Sequence, residues 1–327
     1  MKDVGLAGLP ASGKSTLFTA LTRVGAQGGR SNQAVVGVPD PRLEVLAEME
    51  GSAKVVPAQV RFVDAPGGLT AQALAALRQT DALALVVAAF HAAADPMADL
   101  RTLHQELALA DLANLEAGLE RAARKARGRD PEAAAEADRL ARARALLEEE
   151  RPLREGAWSQ EDLKAMRGYG FLTLKPWIVV ANLEEGASLP EGLPGGAVGV
   201  SAAIEAEVAA MDPAEGAALL REFGVAEPGL DRLIRAAYGV LDLITFLTSG
   251  EDETRAWQVR RGARAPEAAG VIHSDLERGF IRAEVVSYDD LVSAGSMKAA
   301  KDRGLVRTEG KDYEVREGDV VNVLFAV

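Results

Sequence analysis

The sequence predicts an α/β protein with a mostly parallel sheet, a helical-hairpin insertion and a smaller C-terminal α+β domain. The runs Ala82–Ala89 and Trp177–Ala181 are apolar almost throughout, which is typical of strands buried on both faces of a parallel sheet. From about residue 100 to residue 165, apolar residues recur at three- and four-residue spacing, which predicts helices. After residue 241 short strands alternate with glycine-rich turns, which indicates a separate small domain.

Composition limits the classes to which the chain can belong. Its 327 residues predict about two domains, and 48% hydrophobic and 26% charged residues are ordinary for a soluble globular protein. The absence of cysteine excludes disulfides, thiolate catalysis and cysteine-ligated zinc. With no apolar stretch of membrane-spanning length and no signal peptide, we expect a cytoplasmic protein without a membrane partner. Because the net charge is -12, we expect no DNA partner, and any contact with RNA would need a local basic patch.

The first functional pattern is Gly8–Ser15, which fits the phosphate-binding motif G-x-x-x-x-G-K-[ST]. It follows an apolar run, Val4–Ala7, and precedes the start of a helix at Thr16–Leu21. The glycines let successive N–H groups point inward, and the helix N-terminus adds its positive dipole end. We expect Lys14 to reach the β- and γ-phosphates and the Ser15 hydroxyl to ligate Mg²⁺. The expected nucleotide contacts are Leu9, Pro10, Ala11, Ser12, Gly13, Lys14, Ser15 and Thr16.

A second pattern, Asp64–Gly67, follows the predicted strand Val60–Val63 and reads D-x-x-G. In nucleotide switches this aspartate lies behind Mg²⁺ and the glycine amide faces the γ-phosphate. We therefore expect Asp64 to support the metal and Gly67 to act, with Lys14, on the phosphates.

Two features that such switches use for hydrolysis are missing. A water-positioning glutamine often follows D-x-x-G, but here Gly68 stands there and has no side chain to orient water. The first mobile loop is expected at Gly25–Asn32, where a threonine normally reaches Mg²⁺. No threonine occurs between Thr22 and Thr70.

Two further strand ends are expected to hold the base, because ligands in α/β folds bind beyond the carboxyl ends of the strands. The first strand ends in Asn182–Glu185, which keeps the spacing of the guanine-reading N-K-x-D but carries glutamate in place of aspartate. The second, Ala197–Val200, leads into Ser201–Ala203, whose backbone amides would face the base. The expected base contacts are Asn182, Leu183, Glu185, Ser201, Ala202 and Ala203.

The helical stretch breaks at Gly128–Pro131, which predicts an antiparallel hairpin. Basic residues cluster near its tip at Arg121, Arg124, Lys125, Arg127 and Arg129, with Arg139, Arg142 and Arg144 on the returning helix. Interleaved acids favour a solvated surface of glutamate–arginine pairs. An RNA-facing tip is the functional alternative.

The C-terminal part has predicted strands at Ala256–Val259, Ile281–Val286 and Val320–Phe325. The acidic run Glu251–Glu253 is expected to be a solvated turn. The three histidines are scattered along the chain, so a histidine-based metal site is not indicated.

These stretches resemble the YchF / Obg-like ATPase family of P-loop switches. The matching residues are Gly8–Thr16, Val38–Leu43, Phe62–Asp64, Arg78–Ala82, Asn182–Glu185, Ala203–Glu207, Arg255–Trp257, Pro266–His273, Gly279–Val285 and Lys311–Tyr313. The resemblance implies a P-loop NTPase domain with a helical insertion, a β-grasp-like TGS domain and association with ribosomes. The family usually carries the switch threonine, a longer glycine-rich segment after D-x-x-G and a hydrophobic residue where Gly68 stands.

The resemblance also implies that ATP is accepted, often in preference to GTP. A carboxylate accepts hydrogen bonds from the N1–H and N2 amine of guanine, and adenine offers neither group at that edge. Glutamate at position 185 is longer than aspartate, which spoils the guanine fit. The expected ligands are therefore ATP or GTP with Mg²⁺, ATP being favoured.

The expected domains are residues 1–98 with 168–241 for nucleotide binding, 99–167 for the hairpin and 242–327 for the TGS domain. We expect a monomer that hydrolyses nucleotide slowly on or near the ribosome, binding ribosomal RNA or protein. A non-hydrolysing nucleotide-binding module that contacts RNA or protein is the alternative. A small-molecule phosphotransferase is disfavoured because Asn182–Glu185 and the C-terminal domain fit a switch protein better.

Overall fold

The computed structural model describes residues 1–24, 32–65, 67–126, 131–223, 225 and 227–326. Contacts divide the chain into two units, Met1–Val36 with Arg61–Ala237 and Gly37–Val60 with Tyr238–Val327. The domain boundaries expected from the sequence stay predictions. The first mobile loop is expected at Gly25–Asn32 and the helix break at Gly128–Pro131; residues 25–31 and 128–130 of these stretches lie outside the described residues.

The strands are β1 Lys2–Gly8, β2 Gln33–Gly37, β3 Val55–Val56, β4 Gln59–Asp64, β5 Ala82–Ala89, β6 Trp177–Leu183, β7 Val198–Val200, β8 Leu243–Thr248, β9 Thr254–Arg260, β10 Phe280–Ser287, β11 Arg307–Glu309 and β12 Asp319–Phe325. The α-helices are α1 Lys14–Val24, α2 Arg42–Glu50, α3 Ala71–Arg78, α4 Pro96–Ala126, α5 Pro131–Glu148, α6 Gln160–Met166, α7 Ala202–Val208, α8 Pro213–Glu222, α9 Gly229–Val240, α10 Ala265–Ile272, α11 Ser274–Arg278, α12 Tyr288–Ala294 and α13 Met297–Asp302. Short 3₁₀ turns lie at Leu153–Glu155 and Arg167–Tyr169.

The sheet of the first unit has the strand order β2-β4-β1-β5-β6-β7. Strand β5 pairs in parallel with β1 and β6, and β6 pairs in parallel with β7. All residues of β5 except the last are buried, because helices cover both faces of a central parallel strand. The expected α/β fold with a mostly parallel sheet is confirmed. This arrangement brings the carboxyl ends of β1, β5, β6 and β7 to one edge.

Helices α3 and α4 pack on this sheet, with Leu77, Leu103 and Leu107 in one apolar cluster. Farther along α4, Leu115 packs in a second cluster with Leu140 of α5. The expected helical hairpin is therefore present, and it has an apolar core of its own. Among the described residues, no helix combines the length and apolar character that a membrane span requires.

Several arginines of the hairpin pair with nearby acids. Arg139 and Arg142 lie 2.8 and 3.5 Å from the Asp162 carboxylate, and Arg144 lies 2.8 Å from Glu148. These ion pairs support the interpretation as a paired helix surface, and the RNA-facing interpretation stays a prediction.

The second unit contains a mixed sheet with the order β11-β10-β12-β8-β9-β3. Antiparallel pairs join β10 to β11 and β12, and β8 to β9, whereas β12–β8 and β3–β9 are parallel. Phe246 and Val285 of this sheet pack with Ala268 of α10 in the core. The expected C-terminal α+β architecture is present. Strand β3, which belongs to residues 37–60, pairs with β9 at the edge of this sheet although the two strands are far apart in sequence.

Candidate nucleotide-binding site

A glycine-rich turn between β1 and α1 forms the phosphate cradle. Ala11 and Gly13 have φ values of 63° and 82°, in the left-handed region that favours glycine. A Cβ at position 13 would lie 1.9 Å from Asn182 Nδ2, so only glycine fits there. Residues 8–16 line a cavity of about 230 Å³ together with Gly67 and Gly68. The turn therefore presents backbone to a space that an anionic group of phosphate size can enter.

Lys14 and Asp64 meet at the edge of this cradle although 50 residues separate them. The lysine is buried, with only 7% of the residue exposed. Its Nζ donates one hydrogen bond to the Asp64 carboxylate and another, of 2.9 Å, to the backbone oxygen of Ala65. The structure thus brings together the cation and the carboxylate that the sequence assigned to one site.

The hydroxyl-bearing residues Ser15 and Thr16 are exposed and line the cavity. Ser15 and Asp64 offer oxygen ligands, a donor set that suits Mg²⁺, which usually takes one or two protein oxygens and fills its shell with phosphate and water. No group of three or more histidine, aspartate or glutamate side chains suited to a metal occurs among the described residues. The hydroxyl of Ser15 and the carboxylate of Asp64 fit a metal held jointly with a phosphate ligand.

The segment after Asp64 folds against the phosphate-binding turn. Gly67 and Gly68 have φ values of 85° and 71°, and a Cβ at Gly68 would lie 3.9 Å from the Pro10 ring. Pro66 lies outside the described residues. Thr70, the next threonine after the missing switch position, caps α3 by accepting a 3.3 Å hydrogen bond from the Ala73 N–H. Sequence reasoning did not assign Gly8 and Gly68 to the cavity, although Gly8 opens the first motif and Gly68 directly follows the second.

Asn182 ties three segments of the site together. Its Nδ2 donates a 3.1 Å hydrogen bond to the Ser12 backbone oxygen, and its Oδ1 accepts one of 3.1 Å from the Ala202 N–H. The side chain is buried. Asn182 therefore braces the phosphate turn against the loop at residues 201–203, a role that the spacing alone did not predict.

The other residues expected around the base lie beyond the phosphate cavity. Glu185 and Ala203 are exposed, Leu183 and Ser201 are half-buried, and Ala202 is buried. They lie at the carboxyl ends of β6 and β7, which are adjacent strands. The fold places both predicted base loops at one edge of the sheet.

Helix α7, which begins at Ala202, is anchored from behind by Glu205. This carboxylate is buried and accepts hydrogen bonds from the N–H groups of Gly229 and Leu230 at the start of α9. Burial raises the pKa of Glu205, and the two donors oppose that shift. Anchoring α7 in this way positions the loop at residues 201–203.

A parallel sheet, a strand–turn–helix cradle and a lysine that meets an aspartate from a neighbouring motif define a P-loop nucleotide-binding protein. Comparison with known families agrees. A family model described as "50S ribosome-binding GTPase" matches residues 3–117, and the model named YchF-GTPase_C, described as a protein of unknown function, matches residues 243–326. The chain belongs to the YchF family, and the resemblance inferred from the motifs is confirmed.

Similar proteins match along nearly the whole chain. "Ribosome-binding ATPase YchF" of Haemophilus ducreyi is 41% identical and that of Bacillus subtilis 39%, each with 99% of both chains covered. "Obg-like ATPase 1" of Caenorhabditis elegans is 34% identical, with 97% of this chain and 90% of that protein covered. The solved Schizosaccharomyces pombe YchF GTPase is 29% identical, has a TM-score of 0.88 and covers 99% of this chain and 97% of its own.

Proposed function

We propose that this protein binds ATP or GTP with Mg²⁺ in the P-loop cradle and hydrolyses it slowly, with ATP preferred, while associated with the ribosome. The juxtaposition of Lys14 and Asp64 beside the cavity is the observation that carries the nucleotide assignment. The names of relatives that are 39–41% identical over the whole chain support the ribosome association. They also favour a cytoplasmic location.

The residues of the cradle divide the work on the phosphates. The Lys14 ammonium lies at the cavity edge, where it can exchange its Ala65 carbonyl partner for phosphate oxygens and neutralise charge that develops on them. Gly67 lines the same cavity and would offer its N–H there, and residues 9–16 would supply further backbone donors. Ser15 would ligate Mg²⁺ directly and Asp64 would support it through water. A magnesium ion held there would supply positive charge that screens the phosphate oxygens.

The base would lie against Asn182, Leu183, Glu185 and the amides of Ser201, Ala202 and Ala203. Glu185 supports a preference for ATP because its carboxylate stands one methylene farther out than the aspartate of the guanine-reading motif. Backbone groups or a partner would position the attacking water, since neither Gly68 nor the P-loop offers a general base. This arrangement accounts for slow turnover.

Calorimetric titration with Mg²⁺ and non-hydrolysable ATP and GTP analogues tests the assignment. We expect Lys14→Ala to weaken triphosphate binding about 10- to 100-fold, the loss of one hydrogen bond between charged groups. Glu185→Asp is expected to improve GTP binding relative to ATP. Lys164→Ala, an exposed lysine of the same unit, is the matched control and should bind like the unmodified chain. Failure of the unmodified chain to bind either analogue would remove nucleotide as its ligand.

A non-hydrolysing module is the second candidate, and Gly68 at the usual glutamine position favours it. Phosphate release in the presence of Mg²⁺, with and without ribosomes, separates the two functions. Slow release that depends on Lys14 supports the hydrolase. Tight analogue binding without release in either condition supports the module.

A further inference from the structure

A groove on the helical hairpin shares no residue with the phosphate cradle. It has a volume of about 550 Å³ and runs between one face of α4 and the C-terminal end of α5. The α4 residues that line it include Arg101, Gln105, Ala108, Leu109 and Leu112, which recur at helical spacing.

The lining of the groove includes apolar residues, one of which is exposed. Leu109 is 60% exposed, whereas Leu103 and Leu107 of the same helix are fully buried against the sheet. Beside Leu109 lie Leu112 and the buried Leu147 of α5. An apolar side chain of a partner would cover Leu109 and fill the concavity beneath it, which is the usual arrangement of a binding hot spot.

The rim of the groove is predominantly acidic. Glu106, Glu148 and Glu150 line it together with Arg101. Glu148 already pairs with Arg144 at 2.8 Å, so Glu106 and Glu150 carry the negative charge that faces a partner. His104, also in the lining, is neutral at physiological pH because burial, together with Arg154, lowers its pKa to about 4. The charge of the groove is therefore complementary to a basic partner.

Glu150 lies just after the C-terminal end of α5. Its φ of 58° lies in the left-handed region, where glycine is favoured at the end of a helix. Glutamate at this position accepts backbone strain and places a carboxylate at the groove rim.

We propose that this groove docks a basic amphipathic helix of a protein partner. An apolar side chain of that helix would cover Leu109 and enter the space beside Leu112, while lysine or arginine one turn away would face Glu106 and Glu150. This is helix-in-groove recognition with charge complementarity at the rim. The assignment of the partner to the ribosome rests on the proposed function, but the groove itself does not.

Titration with a synthetic 18-residue leucine–lysine amphipathic peptide, followed by fluorescence anisotropy, tests the proposal. We expect the unmodified chain to bind this peptide and to ignore the matching leucine–glutamate peptide. Leu109→Asp and the pair Glu106→Lys with Glu150→Lys should each weaken binding at least about tenfold. Glu116→Lys, an exposed position of α4 outside the groove, should change it less than about twofold. Equal binding by all variants, or no binding by the unmodified chain, would overturn the proposal.

Parallel measurements separate this proposal from the proposed function. Circular dichroism and analogue titration should be unchanged in every groove variant. Sedimentation with 70S ribosomes and with protein-free ribosomal RNA then identifies the source of the partner. If the groove variants bind ribosomes more weakly but bind RNA as the unmodified chain does, the partner is a basic ribosomal protein. If they lose binding to protein-free RNA equally, the groove contacts RNA and the proposal of a protein partner is overturned. If the unmodified chain binds the peptide but not ribosomes, the proposed ribosome association is wrong, whereas the proposed docking groove is supported.

Discussion

At the scale of single residues, the candidate site centres on Lys14, Asp64 and Asn182. Lys14 and Asp64 belong to two separate sequence motifs, and in the structure a hydrogen bond joins their side chains. Asn182 was assigned to the base, but its side chain also bonds to Ser12 and Ala202. That brace depends on three separate segments meeting at one point, and no local spacing encodes the distance between them.

His104 offers a test of stability against pH at this scale. Its ring stacks on Trp177 at a centroid distance of 4.0 Å, and Arg154 lies over the same indole ring at 3.1 Å. Burial, together with Arg154, lowers the His104 pKa to about 4. The unfolded chain takes up this proton near the ordinary pKa of about 6.5, so the stability due to a neutral His104 is lost as pH falls from about 6.5 to about 4.

We therefore expect His104→Phe, which can keep the stacking, to lose less stability than the unmodified chain between pH 6.5 and 4. The expected difference is about 1–3 kcal/mol, reduced from the full shift because the ring is only partly buried. Urea unfolding at both pH values measures it. His273→Gln, at an exposed histidine, is the control and should follow the unmodified chain. Parallel pH curves for His104→Phe and the unmodified chain would refute the prediction.

At the scale of secondary-structure elements, a buried carboxylate holds α3 and α4 to the segment before β6. Asp111 is fully buried and accepts hydrogen bonds from Arg78 (2.9 Å) and from the N–H groups of Leu172 (2.9 Å) and Thr173 (2.7 Å). Arg78, the last residue of α3, also donates to the backbone oxygen of Gly170 at 3.0 Å. Helix α3 begins just after Gly67–Leu69. By holding α3 in place, this network helps to position the end of the segment Gly67–Leu69.

Asp111→Ala should lower the free energy of unfolding by about 3–5 kcal/mol because it removes the carboxylate paired with the Arg78 guanidinium and the acceptor of the Leu172 and Thr173 N–H groups. Adding Arg78→Ala to that variant is expected to cost less than the sum of the two single changes. Chemical unfolding measures the cycle. Asp138→Ala, an exposed aspartate of α5, should stay within about 0.5 kcal/mol. Additive losses would show that Arg78 and Asp111 do not act as a pair.

At the scale of the whole molecule, residues 37–60 join the C-terminal unit rather than the unit that surrounds them in sequence. Arg42 holds them there by hydrogen bonds to Asp40 (2.8 and 2.7 Å) and to Glu317 (2.6 Å). The second carboxylate oxygen of Glu317 accepts the Thr245 N–H at 2.8 Å. The motif Val38–Leu43, matched to the family on sequence alone, thus acts within this unit as an anchor.

Arg42→Ala should speed amide hydrogen exchange in residues 38–58 and 243–248 together, by about 5- to 100-fold, since both depend on Glu317. Exchange in residues 4–16 of the other unit should not change. Arg261→Ala, whose partner Asp242 is exposed, is the control from the same unit. Faster exchange confined to residues 38–58 would mean that Glu317 holds β8 without Arg42.

The sequence by itself determined the features that are local in the chain. The turn at residues 8–15, the apolar strand β5 and the loops at residues 182–185 and 201–203 follow from short-range backbone preferences and from side-chain period, so their place in an α/β fold was predictable. Only the tertiary structure decided that Asn182 braces the P-loop, that Asp111 joins α3 to α4 and that residues 37–60 belong with the C-terminal unit. These arrangements depend on packing and hydrogen bonds between segments up to 275 residues apart, and no periodicity within one segment records which distant partner it meets.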